Sequence, residues 1–219
     1  MIYSTSNRKG GVLLFLFSLL SSLLLFSSQS GTALGAPVSD LGGLELYPRN
    51  KHIPDRNEVV ELIRDGRDFH QYAKEGQPHK NKAAFFTGQE RKTIAKIRDW
   101  AKAKEQGLTT VRDIWKSDNF YQLGQYKDID AETFRDFQKA FSRYYAQQAE
   151  GKAYLIFPHD QTPKRDGIFW SVELDEIISH GKVDMIIWLD QNKIADKKYH
   201  KDNEERIYWK KGERKPDGA

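Results

Sequence analysis

The chain has 219 residues, with 35 Lys and Arg, 31 Asp and Glu, 6 His and no cysteine. The lack of cysteine excludes a disulfide framework and cysteine-based zinc sites, and the small net charge argues against a nucleic-acid binder. We therefore predict one domain stabilised by an ordinary apolar core.

The first 36 residues have the pattern of a secretory signal peptide. Arg8 and Lys9 precede an apolar run over 12–26, and small residues follow up to Ala36. About fifteen apolar residues are fewer than the twenty or so that a spanning helix needs, so a membrane anchor is the less favoured alternative. Removal of this segment would leave two more cations than acids.

Residues 37–56 are rich in Gly and Pro and predict an N-terminal arm. Apolar residues then recur at helical intervals over 57–75, where Gly66 weakens the middle of the predicted helix. The short apolar run over 82–88 ends in a glycine. This run predicts a buried strand that leads into a loop.

The middle of the chain predicts two helices on either side of a short strand. Residues 90–104 carry apolar residues at helical spacing among many charges, which is typical of an amphipathic helix. The β-branched run over 109–115 predicts a strand. A long helix should begin after Asp130, a suitable N-cap, and end near Gly151.

The last third predicts further strands and one short helix. The strand-like runs are 153–157, 167–172, 183–189 and a possible edge strand over 206–209, with a helix over 173–181. Alternating helices and strands predict an α/β fold with a mainly parallel central sheet flanked by helices. The domain should cover 57–210 and be followed by a polar tail over 211–219, and the charge run over 196–215 mixes signs and is most simply a solvated face.

One carboxylate stands out in the run GIFWSVEL over 167–174. Glu173 follows the predicted strand and begins the next helix, at the strand end where ligands bind in open α/β sheets. There it can face a pocket, or it can simply stabilise the positive end of the helix. The six histidines show no metal-ligand spacing, and neither a phosphate loop nor a dinucleotide fingerprint is present.

Five segments in order over 83–190 resemble the ADP-ribosyl cyclase and NAD glycohydrolase family in a cysteine-free microbial form. The segments are AFFTG, TTVRD, FQKAFSRYYAQQAEGKAYLIF, GIFWSVEL and KVDMIIWLD. The resemblance implies an ADP-ribosyl-cyclase-like fold, Glu173 as the catalytic residue and NAD as the substrate, with no cofactor and no metal. A carboxylate below the ribose would stabilise the oxocarbenium-like centre that forms when nicotinamide leaves.

The resemblance also implies two aromatic side chains around the substrate. Phe86 is at the position that stacks on nicotinamide, where a tryptophan is usual, and it can equally be a core residue. The second aromatic position holds Gln138, which departs from the family. Trp115 or Trp170 could line the same cleft instead, or could belong to the core.

Two further positions bear on the reaction. Arg112 stands where the family has an acidic residue that influences cyclisation against hydrolysis. A cation there could pair with the pyrophosphate, so we expect hydrolysis. Ser142 could hydrogen bond to the substrate ribose or satisfy itself on the backbone.

These patterns predict a secreted NAD glycohydrolase-like toxin or effector. The alternative is a catalytically silent secreted effector of the same fold that binds a host protein or nucleotide, which the departures at Arg112 and Gln138 favour. A weak nucleic-acid binder is a third possibility, and it would show salt-sensitive binding. The oligomeric state stays open.

Overall fold

A computed structural model of the protein describes residues 53–65 and 69–219. The predicted signal peptide, the arm up to residue 52 and Gly66 lie outside this range. Five strands in the described part of the chain form one sheet: β1 (Ala83–Phe85), β2 (Thr109–Thr110), β3 (Gly151–Phe157), β4 (Val183–Asp190) and β5 (Ile207–Lys210).

The strand order across the sheet is β2-β1-β3-β4-β5. Strands β2, β1, β3 and β4 are parallel, and β5 pairs with β4 in the antiparallel direction at the edge. The predicted α/β fold with a mainly parallel sheet is confirmed. Because β1 leads to β2 on one side and the neighbouring β3 leads to β4 on the other, the connections diverge between β1 and β3.

The helices cover both faces of the sheet. They are α1 (Arg56–Asp65), α2 (Arg91–Lys102), α3 (Ala131–Gln148) and α4 (Leu174–His180). The first helix is shorter than predicted, whereas α2 and α3 match their predicted segments closely. Asp130 caps α3 as expected, since its carboxylate accepts a hydrogen bond from the Thr133 amide at 2.8 Å. No helix in the described ranges is long and apolar enough to cross a membrane.

Side chains of the central strands alternate between two apolar cores. On one face, Phe85 and Leu155 pack in a cluster with apolar residues of α1, α3 and α4. On the other face, Ala84 and Ile156 pack against Ile97 and its neighbours on α2. This period of two explains why β1 and β3 read as continuous apolar runs: both of their faces are buried.

The predicted strand over 109–115 is mostly a turn. Asp113 ends it after two strand residues, because its carboxylate accepts hydrogen bonds from the Thr110 amide at 3.2 Å and the Thr110 hydroxyl at 2.5 Å. Arg98 and Lys102 of α2 form ion pairs with the same carboxylate at 2.7 and 2.9 Å. Burial opposes ionisation of Asp113, but these hydrogen bonds hold its pKa below the usual range.

The predicted strand over 167–172 is helical. A π-helical turn spans Phe169–Glu173 and runs directly into α4. Phe169, Val172 and Leu174 are buried, so the apolar run supplies one face of a helix instead of both faces of a strand. A short apolar run of this kind fits the spacing of a helix as well as that of a strand, and the predicted strand is wrong.

The polar tail packs against the loop that leads to this helix. The indole N–H of Trp170 donates to the Pro216 carbonyl at 3.0 Å, and the Lys215 ammonium lies 3.5 Å from the centroid of the same indole. The Arg165 amide donates to the Ala219 carbonyl at 3.1 Å. The polar tail over 211–219 therefore makes tertiary contacts, although most of its residues stay exposed.

Candidate active site

A cleft of about 520 Å³ opens at the carboxyl ends of β1 and β2. Its walls come from the loop after β1, the turn after β2, the face of α3 and the loop before the π-helical turn. The connections of the sheet diverge at this point, which is where open α/β sheets place their ligands. The three buried polar residues that line it are Thr87, Ser142 and Glu173.

A larger cavity of about 660 Å³ lies between the start of α1 and the loop before α3. The charged residues that line it, Asp55, Arg56, Lys127 and Asp128, are all exposed. Size alone therefore does not select the functional site. The cleft at β1 is the better candidate because it holds a buried ionisable carboxyl group.

Glu173 occupies the last position of the π-helical turn and only 4% of it is exposed. Phe169 and Leu174, on the same helical segment, are fully buried and fix it against the sheet. π-helical turns inside α-helices occur often at functional sites, because the extra residue changes which side chains face inward. In this protein the turn carries Glu173 to the wall of the cleft.

The environment of Glu173 disfavours its charged form. Burial raises the pKa of this carboxyl group to about 8, and a hydrogen bond with Ser142 opposes the rise. The Ser142 hydroxyl is itself buried on α3, and it also lines the cleft. A carboxyl group with so displaced a pKa in a cleft is a candidate for a functional role.

Tyr145 anchors the part of α3 that carries Ser142. Its hydroxyl accepts a hydrogen bond from the Ala84 amide at 2.9 Å and lies 2.5 Å from the Thr109 carbonyl, so it bridges β1 and β2. Burial raises the pKa of Tyr145 well above its ordinary value, and the nearby Glu173 charge adds to the rise. One turn separates Tyr145 from Ser142, which explains how the sheet fixes the serine opposite Glu173.

Two aromatic side chains line the cleft. Phe86 follows β1 directly and is partly exposed, as the resemblance implies for a residue that contacts the substrate. Tyr121 comes from the 3₁₀ turn after β2 and was not predicted as a site residue. Burial raises the pKa of Tyr121 to about 12, Arg112 lowers it, and the charge of Glu173 raises it. The sequence signal for Tyr121 was only its place in an aromatic-bearing loop.

Arg112 lies beside the cleft. Its guanidinium is stacked on the Tyr121 ring, 4.3 Å from the ring centroid. Arg112 is not among the residues that line the cleft. Its contact with a pyrophosphate stays a prediction, and in this structure the guanidinium makes a cation–π contact with Tyr121.

Both tryptophans that were predicted as pocket residues lie elsewhere. Trp115 is 2% exposed and stacks on Phe120 with their centroids 4.1 Å apart, inside the core next to α3. Trp170 contacts the C-terminal tail through Pro216 and Lys215. Neither lines the cleft, since packing partners elsewhere in the fold hold both indoles.

The polar outer part of the cleft comes from α3. Arg135 and Gln138 line it together with Ser142, because residues at these spacings share one face of a helix. Gln138 is the position where the family resemblance leads one to expect an aromatic residue. Arg135 was not predicted, since its relation to Glu173 depends on tertiary packing.

Among the described residues, no group of three His, Asp or Glu side chains is placed to hold a metal ion. The chemistry that the cleft itself offers is that of a buried carboxyl group at its wall. Such a group can stabilise a positive charge that develops on a bound substrate, and Phe86 and Tyr121 can contact a planar ring.

No protein-family model matches the chain, and no curated protein matches it either. Among solved structures, the chain resembles ADP-ribosyl cyclases and CD38, the type of protein that its motifs resemble. It is 20% identical to the Aplysia cyclase complexed with the substrate NGD and the product cGDPR, over 50% of this chain and 48% of that one, with a TM-score of 0.37.

A variant of ADP-ribosyl cyclase matches at 18% identity over 57% of this chain and 55% of that one, with a TM-score of 0.41. Porcine CD38 with a covalent intermediate matches at 14% identity over 61% and 69% of the two chains, with a TM-score of 0.38. The chain thus spans about half the length of the cyclases that it matches.

Proposed function

We propose that the protein is an NAD glycohydrolase that cleaves the bond between nicotinamide and ribose. The observation that carries the proposal is Glu173, a buried carboxyl group that lies with Ser142 at the wall of a cleft with two aromatic side chains. The order of the sequence motifs, which resembles that of NAD glycohydrolases, supports the same substrate.

The proposed reaction requires little from the protein beyond placement of charge. The bond between C1′ of the ribose and the pyridinium nitrogen breaks, and its electron pair neutralises the nitrogen as nicotinamide leaves. Positive charge then develops at C1′, where the Glu173 carboxylate stabilises it. Water adds to C1′ and loses a proton, and the product is ADP-ribose.

Substrate binding should ionise Glu173. In the free protein its pKa of about 8 leaves the carboxyl group mostly protonated at neutral pH. The nicotinamide ring of NAD is cationic, and a cation within a few ångströms favours the charged form of a carboxyl group. The bound substrate would therefore lower this pKa and generate the carboxylate that the reaction needs.

The test is nicotinamide release from NAD by the purified protein, followed by chromatography. A Glu173→Gln variant removes the charge and keeps the shape, and should lower kcat by about 100-fold or more. Glu150→Gln is the matched control, since Glu150 is exposed and pairs with Lys80 away from the cleft. A Glu173→Gln protein as active as this control would contradict the proposal.

A nucleotide-binding protein without turnover is the second candidate. The same raised pKa favours it, because a neutral Glu173 could serve as a hydrogen-bond donor to a ligand. It predicts that ADP-ribose or NAD binds with no nicotinamide released, and that Glu173→Gln, which still donates, binds as well as the native protein.

The proposal for a cellular role rests on the predicted signal peptide alone. A secreted NAD glycohydrolase would act as a toxin or effector that depletes NAD, outside its source or in a host cell. Expression of residues 37–219 in a reporter cell should then lower NAD, and the Glu173→Gln variant should not. Equal NAD levels in the two would argue against this role.

A further inference from the structure

We infer that Arg135 binds the phosphates of the substrate, an inference that rests on the proposed function. Arg135 lies on α3 and lines the same cleft as Glu173. It is exposed within the cleft, so its guanidinium is available to a ligand. The arginine thereby becomes a substrate-positioning residue that no sequence motif indicates.

The helix fixes the separation between Arg135 and the reacting group. Arg135 and Ser142 are seven residues apart on one face of α3, which corresponds to about 10 Å along the helix axis. Ser142 and Glu173 are both buried and line the inner end of the cleft. In NAD, a ribose and its 5′-carbon separate the scissile bond from the pyrophosphate. The cleft could therefore present the carboxyl group of Glu173 to the scissile bond and the guanidinium of Arg135 to the pyrophosphate.

The charges near Arg135 leave it available for an anion. Its neighbours Asp136 and Lys139 pair with each other at 2.8 Å. In the described ranges, Arg135 makes no ion pair of its own. Asp166, the exposed acid that lines the cleft, comes from the loop after β3, and no ion pair joins it to Arg135.

Two ionisable side chains of the cleft complement the two charged groups of NAD. NAD carries a cationic nicotinamide and an anionic pyrophosphate, and the cleft carries Glu173 and Arg135 in the corresponding places. A guanidinium binds phosphate through two parallel hydrogen bonds, which fixes orientation as well as position. Arg135 should therefore determine the preference for a phosphorylated substrate over the free nucleoside.

The experiment compares NAD with nicotinamide riboside, which has the same scissile bond and no phosphate. Arg135→Gln should lower kcat/KM for NAD by about 10- to 100-fold, mostly through KM, because it removes a charged hydrogen-bond donor. The value for nicotinamide riboside should stay within about twofold. Arg135→Lys should give an intermediate loss of kcat/KM for NAD, since lysine keeps the positive charge but lacks the two parallel N–H donors of a guanidinium.

Lys139→Gln is the matched control, because it removes one positive charge from the same helix outside the cleft. It should leave both substrates unaffected. Equal losses for NAD and nicotinamide riboside in Arg135→Gln, or no loss for either, would overturn the inference while the proposed function stands.

If the native protein cleaves neither substrate, the proposed function fails and calorimetric binding of ADP-ribose and adenosine decides the role of Arg135. ADP-ribose binding that Arg135→Gln abolishes, with adenosine unchanged, would support an anion site. No binding of ADP-ribose, or binding unaffected by the substitution, would overturn it.

Discussion

Ser142 on α3 and Glu173 on the π-helical turn line the same cleft, where the Ser142 hydroxyl favours the charged form of the carboxyl group and so lowers its pKa. Both side chains are buried, at 2% and 4% exposure, and both line the cleft. The two residues come from separate elements of the fold and line the part of the cleft where we propose that charge develops. The serine should therefore tune the carboxyl group and need not touch the substrate.

Ser142→Ala should raise the pKa of Glu173 further, because the Ser142 hydroxyl favours the charged form of the carboxyl group. A rise of about one unit would lower kcat/KM for NAD at neutral pH by about tenfold. The measurement is kcat/KM against pH, where the variant's curve should lie at higher pH. Ser179→Ala, on α4 outside the cleft, is the control, and its curve should overlie that of the native protein.

The native protein should gain activity as the pH rises. With the pKa of the free carboxyl group at about 8, kcat/KM should increase about tenfold per pH unit below that value and level off above it. The plot of kcat should turn at a lower pH, since the cationic substrate stabilises the carboxylate. A kcat/KM that does not change from neutral pH upwards would contradict the assignment of Glu173.

Glu173 should also make the free energy of unfolding depend on pH. Its pKa is about 8 in the folded protein and near 4.5 when unfolded, so between these values the folded state holds a proton that the unfolded state has lost. Stability should therefore fall as the pH rises through this range. Glu173→Gln should remove that dependence and stabilise the protein at pH 7 by on the order of 1–3 kcal/mol.

Urea unfolding of the native and Glu173→Gln proteins at several pH values provides the check. A variant that is less stable than the native protein at neutral pH would show that the carboxylate is well compensated in the fold. The combination of lower activity and higher stability is the pattern expected for a strained functional residue.

Gly167 should tolerate no side chain. A Cβ built there would lie 2.7 Å from the Thr87 hydroxyl and 3.1 Å from the Lys164 carbonyl, at the wall of the cleft. Gly167→Ala should therefore destabilise the protein by about 1–3 kcal/mol and disturb the cleft. Thr87→Ala in the same chain removes the closer contact, so a double-mutant cycle should show favourable coupling of the two substitutions. Strictly additive effects would argue that the two do not touch.

Trp170 should matter for the tail and not for the reaction. Trp170→Phe removes the hydrogen bond to the Pro216 carbonyl and weakens the stacking of Lys215. The expected result is a loss of about 1 kcal/mol in stability, faster proteolysis of the tail, and kcat/KM for NAD within about twofold of native. A large loss of kcat/KM with an intact tail would return Trp170 to the site.

Much of the fold follows from local patterns in the sequence. Helix α3 and the strands β3 and β4 can be predicted from the sequence, because burial on one or both faces fixes the spacing of their apolar residues. The run around Phe169 was misassigned because its four apolar side chains fit a strand as well as a helix, and the choice depends on which neighbours bury them. The turn at Asp113 depends on its ion pairs with Arg98 and Lys102 of α2. Both residues lie outside the short stretch of sequence from which a local pattern is read.

The residues of the candidate site were likewise predicted only in part from the sequence. Glu173, Phe86 and Ser142 were reached through the order of motifs, and the structure brings all three to one cleft. Tyr121 and Arg135 were missed because each enters the cleft only through tertiary packing, and neither belongs to a motif. Trp115 was predicted for the pocket on residue type alone, which does not separate a core aromatic from a binding one.

The most direct test is nicotinamide release from NAD by the native and Glu173→Gln proteins at about pH 9, above the pKa of the carboxyl group. At that pH the native Glu173 is ionised before substrate binds, so the two proteins differ by a full charge. We predict turnover by the native protein and the Glu150→Gln control, and little or none by Glu173→Gln. Equal turnover by all three, or none by a folded native protein, would contradict the central claim.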